Sequence, residues 1–133
     1  MDQKKIFVID DDERILQFIQ RLLEERDYQV KTADKGTGAA KAIKEFLPDL
    51  ILMDIMLPDI YGSELAASLK KDSKLKDIPI IFLTGLRSDK VDDDDRTKVK
   101  VGDYYHTAIA KPFDAEELLC EMRIALDKGS LDS

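Results

Sequence analysis

Short apolar runs alternate with amphipathic stretches along this chain. Residues 6–9, 50–53 and 78–83 form three such runs, rich in β-branched residues and interrupted only by Pro79. Runs this short and this apolar predict strands buried on both faces, as in a parallel sheet. The more mixed segment Gln29–Ala33 predicts an edge strand, and residues 108–110 predict a weaker fifth strand.

Helical periodicity fills most of the gaps between these strands. The last stripe is preceded by Asp114 with Glu117 three residues later, which is a capping-box pattern. The predicted stripes are Ile15, Phe18, Ile19, Leu22 and Leu23; Ala39, Ala42, Ile43 and Phe46; Leu65, Ala66 and Leu69; and Leu118, Leu119, Met122 and Leu126.

Strands that alternate with helices predict right-handed crossovers and a parallel sheet covered on both faces. The pattern therefore predicts an α/β protein with a flavodoxin-like, doubly wound, five-stranded parallel sheet in the order 2-1-3-4-5. The segment between Leu86 and Tyr105 is hard to interpret. It contains the acidic run 92–95, and a fourth helix there lacks a clean apolar stripe. We interpret the acidic run as a solvated face or loop.

Length and charge narrow the function classes. The 133 residues fit one domain, 1–133, with a core at about 5–126 and a short tail at 127–133. A formal net charge of −7 disfavours direct nucleic-acid binding and docking on anionic membranes. The one cysteine, Cys120, excludes an internal disulfide, and the N-terminus has no signal-peptide pattern. We expect a cytoplasmic protein.

Polar residues follow the predicted strands where each strand ends. Asp10, Asp11 and Asp12 follow the first strand, and Asp54 ends the third. Strands one and three are neighbours in the predicted order, so their carboxylates converge at the edge where such sheets bind ligands. Clustered carboxylates without His or Cys favour a hard cation, and Mg²⁺ suits this set better than zinc or iron.

The same edge contains the groups that phosphoryl transfer needs. A carboxylate such as Asp54 can attack phosphorus and form an aspartyl phosphate. Lys111 after the fifth strand can neutralise charge on the transferring group, and Thr84 after the fourth can donate a hydrogen bond to it. Each residue alone has a simpler explanation, and Asp12 is expected to be only a helix cap. Their occurrence together, in this order, favours function.

The chain resembles the receiver domain of two-component response regulators, the CheY-like superfamily, in residues 6–12, 52–62, 82–85 and 110–113. The resemblance implies that Asp54 is phosphorylated and that Asp11, Asp54 and the backbone carbonyl of Met56 bind Mg²⁺, with Asp10 acting mainly through water. Thr84 and Lys111 would contact the phosphoryl group, and the Lys111–Pro112 bond would be cis.

The resemblance also implies partners. The donor would be a histidine kinase or a histidine phosphotransfer protein, and a downstream protein target or output domain would respond to the phosphorylated state. The chain would be a signalling switch, with at most self-phosphorylation and autodephosphorylation, and not an enzyme acting on a separate substrate. A homodimer is left open, as is the choice between a stand-alone protein and a piece of a larger one.

One departure concerns an aromatic residue. Receivers usually carry Tyr, Phe or His three residues before the lysine, where this chain has Ala108. Whether Tyr104, Tyr105 or His106, just upstream, replaces it is left open. The alternatives are a degenerate receiver that only binds partners and an aspartyl-phosphate Mg²⁺ phosphatase. The second would need an acid where Met56 stands, and flavin binding lacks a phosphate loop after the first strand.

Overall fold

The described part of the chain forms six strands and four helices. The computed structural model describes residues 3–85, 98–101 and 104–131. In chain order the elements are β1 (Lys5–Ile9), α1 (Glu13–Glu24), β2 (Gln29–Ala33), α2 (Ala39–Phe46), β3 (Leu50–Asp54), α3 (Gly62–Lys70), β4 (Ile80–Thr84), β5 (Lys98–Val101), β6 (Tyr104–Ala110) and α4 (Ala115–Leu131).

These strands form one sheet in the order β2-β1-β3-β4-β6-β5. The first five in that order are parallel, and they correspond to the predicted 2-1-3-4-5 arrangement. The predicted doubly wound α/β fold is therefore confirmed. The sixth strand, β5, pairs antiparallel with β6 at the edge and was not predicted.

The difference lies in the segment that was hard to interpret. Residues 98–101 form β5, and β6 begins at Tyr104, earlier than the predicted residues 108–110. A short antiparallel pairing needs few residues, and four-residue strands with alternating Lys and Val carry no strong periodic signal. The acidic run 92–95, and any helix between residues 86 and 97, lie outside the described residues.

Side chains alternate between the two faces of the sheet. On one face Phe7, Ile51 and Phe82 pack against α2 and α3. On the other face Val8 and Leu52 pack against α1 and α4. All five are fully buried. Burying one such side chain stabilises the fold by roughly 1.5–3 kcal/mol, so strands apolar at every position are held at the centre of the sheet.

Helix α1 shows how the predicted stripe and the observed core differ. The Asp12 side chain caps the helix by accepting a hydrogen bond from the Arg14 backbone N–H at 2.9 Å, as predicted. The buried face contains Leu16 and Ile19, whereas Phe18 is 46% exposed. Phe18 instead contacts the Phe113 ring at 6.4 Å between centroids. The burial of an aromatic residue at the border of a helix's apolar stripe therefore depends on which side chains pack against it in the fold.

In the part of the chain that the structure describes, no helix is both long enough and apolar enough to cross a membrane.

One polar residue lies deep in the sheet. His106 on β6 is 6% exposed and meets the Phe82 ring edge-on at 5.5 Å between centroids. Burial, and then the nearby charge of Lys70, lower the pKa of His106 to about 4. The unfolded chain therefore binds a proton between pH 6.5 and 4 more readily than the folded chain does.

We predict that acid destabilises the fold through His106. The unfolding free energy should fall by up to about 3 kcal/mol as pH drops from 7 to 4. Below pH 6.5 the unfolded chain takes up a proton on His106, whereas the folded chain takes it up only near pH 4. Urea denaturation at pH 7, 5.5 and 4 measures this loss. A His106→Leu variant should lose much of the slope, and an unchanged slope would refute the assignment.

Candidate functional site

The carboxyl ends of four neighbouring strands bring the candidate residues together. Asp10 follows β1, Asp54 ends β3, Thr84 ends β4 and Lys111 follows β6. The strand register keeps these ends level, because Asp54 pairs with Leu83 on β4, and Thr84 pairs with Ala110 on β6. Residues far apart in the chain therefore form one site.

Three carboxylates converge at this edge. Among the described residues, Asp10, Asp11 and Asp54 each offer an oxygen within 4.8 Å of the others. Asp10 and Asp54 are buried, while Asp11 is exposed. An all-oxygen cluster, with one open side, fits a hard cation that keeps several of its waters. The donor set thus agrees with the sequence-based prediction of a magnesium site.

Lys111 joins the two buried carboxylates. Its Nζ lies 2.7 Å from Oδ2 of Asp10 and 3.2 Å from Oδ2 of Asp54. The backbone N–H of Lys111 also donates to the Thr84 carbonyl at 2.7 Å. The Lys111–Pro112 bond is cis, as the resemblance implied. The ammonium group is therefore fixed against the predicted phosphoryl acceptor.

Burial and charge shift the ionisation of both partners. Burial raises the pKa of Asp54, and the Asp10 charge raises it further, against the opposing effects of the Met56 N–H and of Lys111. Burial alone would lower the pKa of Lys111, but its hydrogen bond and charge contacts with Asp10 and Asp54 outweigh burial and raise that pKa. Lys111 thus stays positively charged, and an added cation would relieve the remaining repulsion between the acids.

The loop after β3 holds the backbone of Met56 beside Asp54. Oδ1 of Asp54 accepts a hydrogen bond from the Met56 N–H at 3.1 Å. Met56 forms an isolated β-bridge with Tyr61, and the Gly62 N–H donates to the Ile55 carbonyl at 2.6 Å. The Met56 side chain is 52% exposed. The loop is therefore a closed turn, in which Met56 lies next to Asp54.

Thr84 and Gly85 border the site at the end of β4. Thr84 is buried, whereas Gly85 is exposed, and a Cβ added to Gly85 would meet none of the described residues within 4 Å. A groove of about 430 Å³ begins at Lys111 and Gly85 and runs toward Phe18 and Phe113. Its remaining lining residues are Asp12, Arg14, Ile15 and Pro112. The site is thus open on the side of α1.

The position where receivers usually carry an aromatic residue holds a buried alanine beside Phe82 of the neighbouring strand. Ala108 is buried and lies opposite the fully buried Phe82 in the β4–β6 register. His106 points to the same face as Ala108 and contacts Phe82. The side chains of Tyr104 and Tyr105 lie outside the described residues. A functional replacement of the aromatic residue by His106 stays a prediction.

Two contacts near the site were not predicted from the sequence. Asp59 accepts hydrogen bonds from residues 36 and 37, in the loop after β2. Gly62 lies so close to β3 that a Cβ there would fall 2.3 Å from the Asp54 carbonyl oxygen. Gly62 belongs to a recognised motif, but the sequence gives no distance between that glycine and the strand.

The fold and the acidic site define a class of signalling protein, and comparison with known proteins agrees. The family model described as "Response regulator receiver domain" matches residues 6–123. The chain belongs to this family, and it is therefore a phospho-accepting switch.

Two curated relatives are regulators of transcription by name. The chain is 35% identical over 124 residues to the "DNA-binding dual master transcriptional regulator RpaA" of Synechocystis sp., covering 92% of this chain and 48% of that protein. It is 38% identical over 126 residues to the "Phosphate regulon transcriptional regulatory protein PhoB" of Pseudomonas aeruginosa, covering 92% and 52%. The chain thus spans about half the length of these relatives.

Solved structures show the same fold. The chemotaxis response regulator CheY4 of Vibrio cholerae superposes with a TM-score of 0.78 at 27% identity, covering 93% of this chain and 99% of that one. A CheY-like receiver domain protein from Methanospirillum hungatei superposes with a TM-score of 0.81 at 26% identity, covering 99% and 100%.

We predict that Gly62→Ala destabilises the protein by roughly 1–3 kcal/mol, since the added methyl group meets backbone that cannot move without displacing β3. Gly85→Ala is the matched control, because none of the described residues lies within 4 Å of a Cβ added there. Urea denaturation of both variants measures the difference. Equal stabilities would show that the close approach of Gly62 to β3 is not a constraint.

Proposed function

We propose that Asp54 is the residue that accepts the phosphoryl group, and that Asp10, Asp11, Thr84 and Lys111 complete the site. The observation that supports this assignment most strongly is the contact of Lys111 with both buried carboxylates. Such a buried triad is costly to assemble, and it places a fixed cation beside both Asp10 and Asp54. Of these two acids, Asp54 is the one that the family resemblance makes the acceptor. The assignment agrees with every motif of the family resemblance.

The transfer step follows from these contacts. A carboxylate oxygen of Asp54 attacks phosphorus, a P–O bond forms, and the bond from phosphorus to the donor nitrogen breaks. The Lys111 ammonium is within reach of the charge that develops on the phosphoryl oxygens, and the Thr84 hydroxyl is positioned at the same edge.

Magnesium is the cofactor that the donor set supports. Asp11, Asp54 and the Met56 carbonyl would hold Mg²⁺, and Asp10 would act mainly through a bound water. When bound, the ion would neutralise charge on the transferring phosphoryl group. Asp10 already contacts Lys111 directly, which agrees with an indirect role toward the metal.

The donor we propose is a phosphohistidine on a histidine kinase or a histidine phosphotransfer protein. The groove lined by Phe18 and Lys111 reaches the lysine that contacts Asp54, and one curated relative is named a histidine kinase. A downstream protein or an output domain would respond to the phosphorylated state, as the longer relatives suggest. A homodimer is a further candidate for that response.

The proposal extends to the domain organisation, the nucleic-acid contacts and the location of the protein. We infer a single receiver domain over residues 1–133, supported by the family match to residues 6–123. It acts as a switch and not as an enzyme with a separate substrate. It has no direct contact with nucleic acid, since its net charge is −7. A cytoplasmic location is supported by relatives named as DNA-binding regulators.

We predict that acetyl phosphate adds one phosphoryl group to the protein, and that the addition requires both Mg²⁺ and Asp54. Intact mass spectrometry of the wild type and of Asp54→Ala, with and without Mg²⁺, measures it. Asp49→Asn is the matched control, because Asp49 is an acid at the opposite end of the sheet whose carboxylate accepts the Lys5 N–H. A wild type that stays unlabelled where another receiver is labelled would favour the degenerate, partner-binding receiver.

We predict that Phe18→Ala slows phosphoryl transfer from a histidine kinase at least about fivefold, as expected if this exposed ring is one of the minority of interface residues whose truncation costs more than about 1 kcal/mol of binding. Labelling by acetyl phosphate should be unchanged. The assay uses a radiolabelled kinase that labels the wild type. Leu47→Ala is the control, since Leu47 is similarly exposed and lies after α2, away from the groove. Equal rates for Phe18→Ala and wild type would place the donor elsewhere.

A further inference from the structure

An exposed carboxylate joins the two loops beside the site. Asp59 lies in the loop between β3 and α3, and its Oδ1 accepts the Gly36 N–H at 2.9 Å. Its Oδ2 accepts the Thr37 N–H at 2.6 Å and also the Thr37 hydroxyl. The residues are 22 and 23 positions apart, so these contacts connect two separate parts of the chain.

The charge of Asp59 strengthens this connection. The Thr37 hydroxyl, followed by the Gly36 N–H, lowers the pKa of Asp59 to about 2. The carboxylate is therefore ionised at any pH at which the protein would work. Hydrogen bonds to an ionised acceptor are roughly twice as strong as neutral ones.

The connection holds the far end of the loop that contains Met56. The near end is closed by the Met56–Tyr61 bridge and by the Gly62–Ile55 hydrogen bond. The far end is held by Asp59 and by close packing of Gly36 on Ile60, where an added Cβ would fall 2.0 Å from Cγ2 of Ile60. Met56 belongs to the closed near end, next to Asp54, and Asp59 holds the same loop three residues further along.

We propose that Asp59 is a positioning residue for the metal site, which holds the Met56 carbonyl in place through the loop between β3 and α3. This inference rests on the proposed function, because it assumes that Mg²⁺ binds beside Asp54. Asp59 itself need not contact the metal or the phosphoryl group. A purely structural role, in which Asp59 only fixes the start of α2, predicts lower stability with no change in metal affinity.

Isothermal titration with Mg²⁺ alone separates the two roles. Asp59→Ala should raise the Mg²⁺ dissociation constant roughly threefold to tenfold, at or below the low end of the effect of removing groups that orient metal ligands directly. Asp59→Asn should give a smaller increase, since it keeps one acceptor oxygen. The amide NMR signals of Met56 and Gly62 should shift in both variants.

The matched control is Asp72→Asn. Asp72 is another acid with a lowered pKa, it accepts the Lys74 N–H and pairs with Lys44, and it lies after α3, outside the site. Its loss changes the net charge by the same amount and should leave the Mg²⁺ affinity unchanged. An equal loss of affinity in Asp72→Asn would show that net charge, and not position, sets the affinity.

A milder variant covers the case in which Asp59→Ala fails to fold. Thr37→Val removes only the hydroxyl donor and should raise the dissociation constant in the same direction. If a folded Asp59→Ala or Thr37→Val variant binds Mg²⁺ as tightly as the wild type, the positioning role of Asp59 is wrong, while the proposed function is unaffected. A wild type that neither binds Mg²⁺ nor accepts a phosphoryl group would overturn the proposed function as well.

Discussion

The contact between Lys111 and two buried carboxylates is the constraint on which the site depends. Asp10 and Asp54 are drawn together by neighbouring strands, and burial makes their charges costly. Lys111, which follows β6, offsets that cost, because its Nζ lies 2.7 Å from Asp10 and 3.2 Å from Asp54. Any rearrangement that moves one of the three must rebalance the other two. A group that adds or removes charge at Asp54, at the end of β3, would therefore also affect Asp10 after β1 and Lys111 after β6.

The sheet supplies the rigidity that this arrangement needs. Its central strands are buried on both faces, by α2 and α3 on one side and by α1 and α4 on the other. Because successive side chains alternate between the faces, the backbone ends of β1, β3, β4 and β6 are held level by packing on both sides. Asp54 and Thr84 therefore belong to strands of the core, whereas Asp10, Asp11 and Lys111 lie directly after strands. Gly62 and Asp59 show that the loops beside the site are themselves held tightly, one against β3 and the other against the loop after β2.

The edge of the sheet beyond β4 is where this chain differs from the expectation set by its family. A small residue, Ala108, stands where an aromatic one is usual, and Phe82 on the adjacent strand lies opposite it. His106 packs on the same Phe82 ring, next to a strand that runs antiparallel at the border. Among the described side chains, Phe82 on β4 therefore supplies aromatic bulk at this face, and His106 packs beside it.

The sequence by itself determined the fold class, the order of the five parallel strands and the residues at their ends. These features follow from local periodicity and from the rule that parallel sheets bind ligands at their carboxyl edge, so no long-range distance was needed. Only the tertiary structure decided that β5 pairs antiparallel, that Phe18 faces solvent and that Lys111 contacts Asp10 as well as Asp54. It also decided the contact of Asp59 with Thr37 and the close approach of Gly62 to β3. Each of these depends on how near two distant segments come to one another, a distance that packing sets and that no pattern along the chain records.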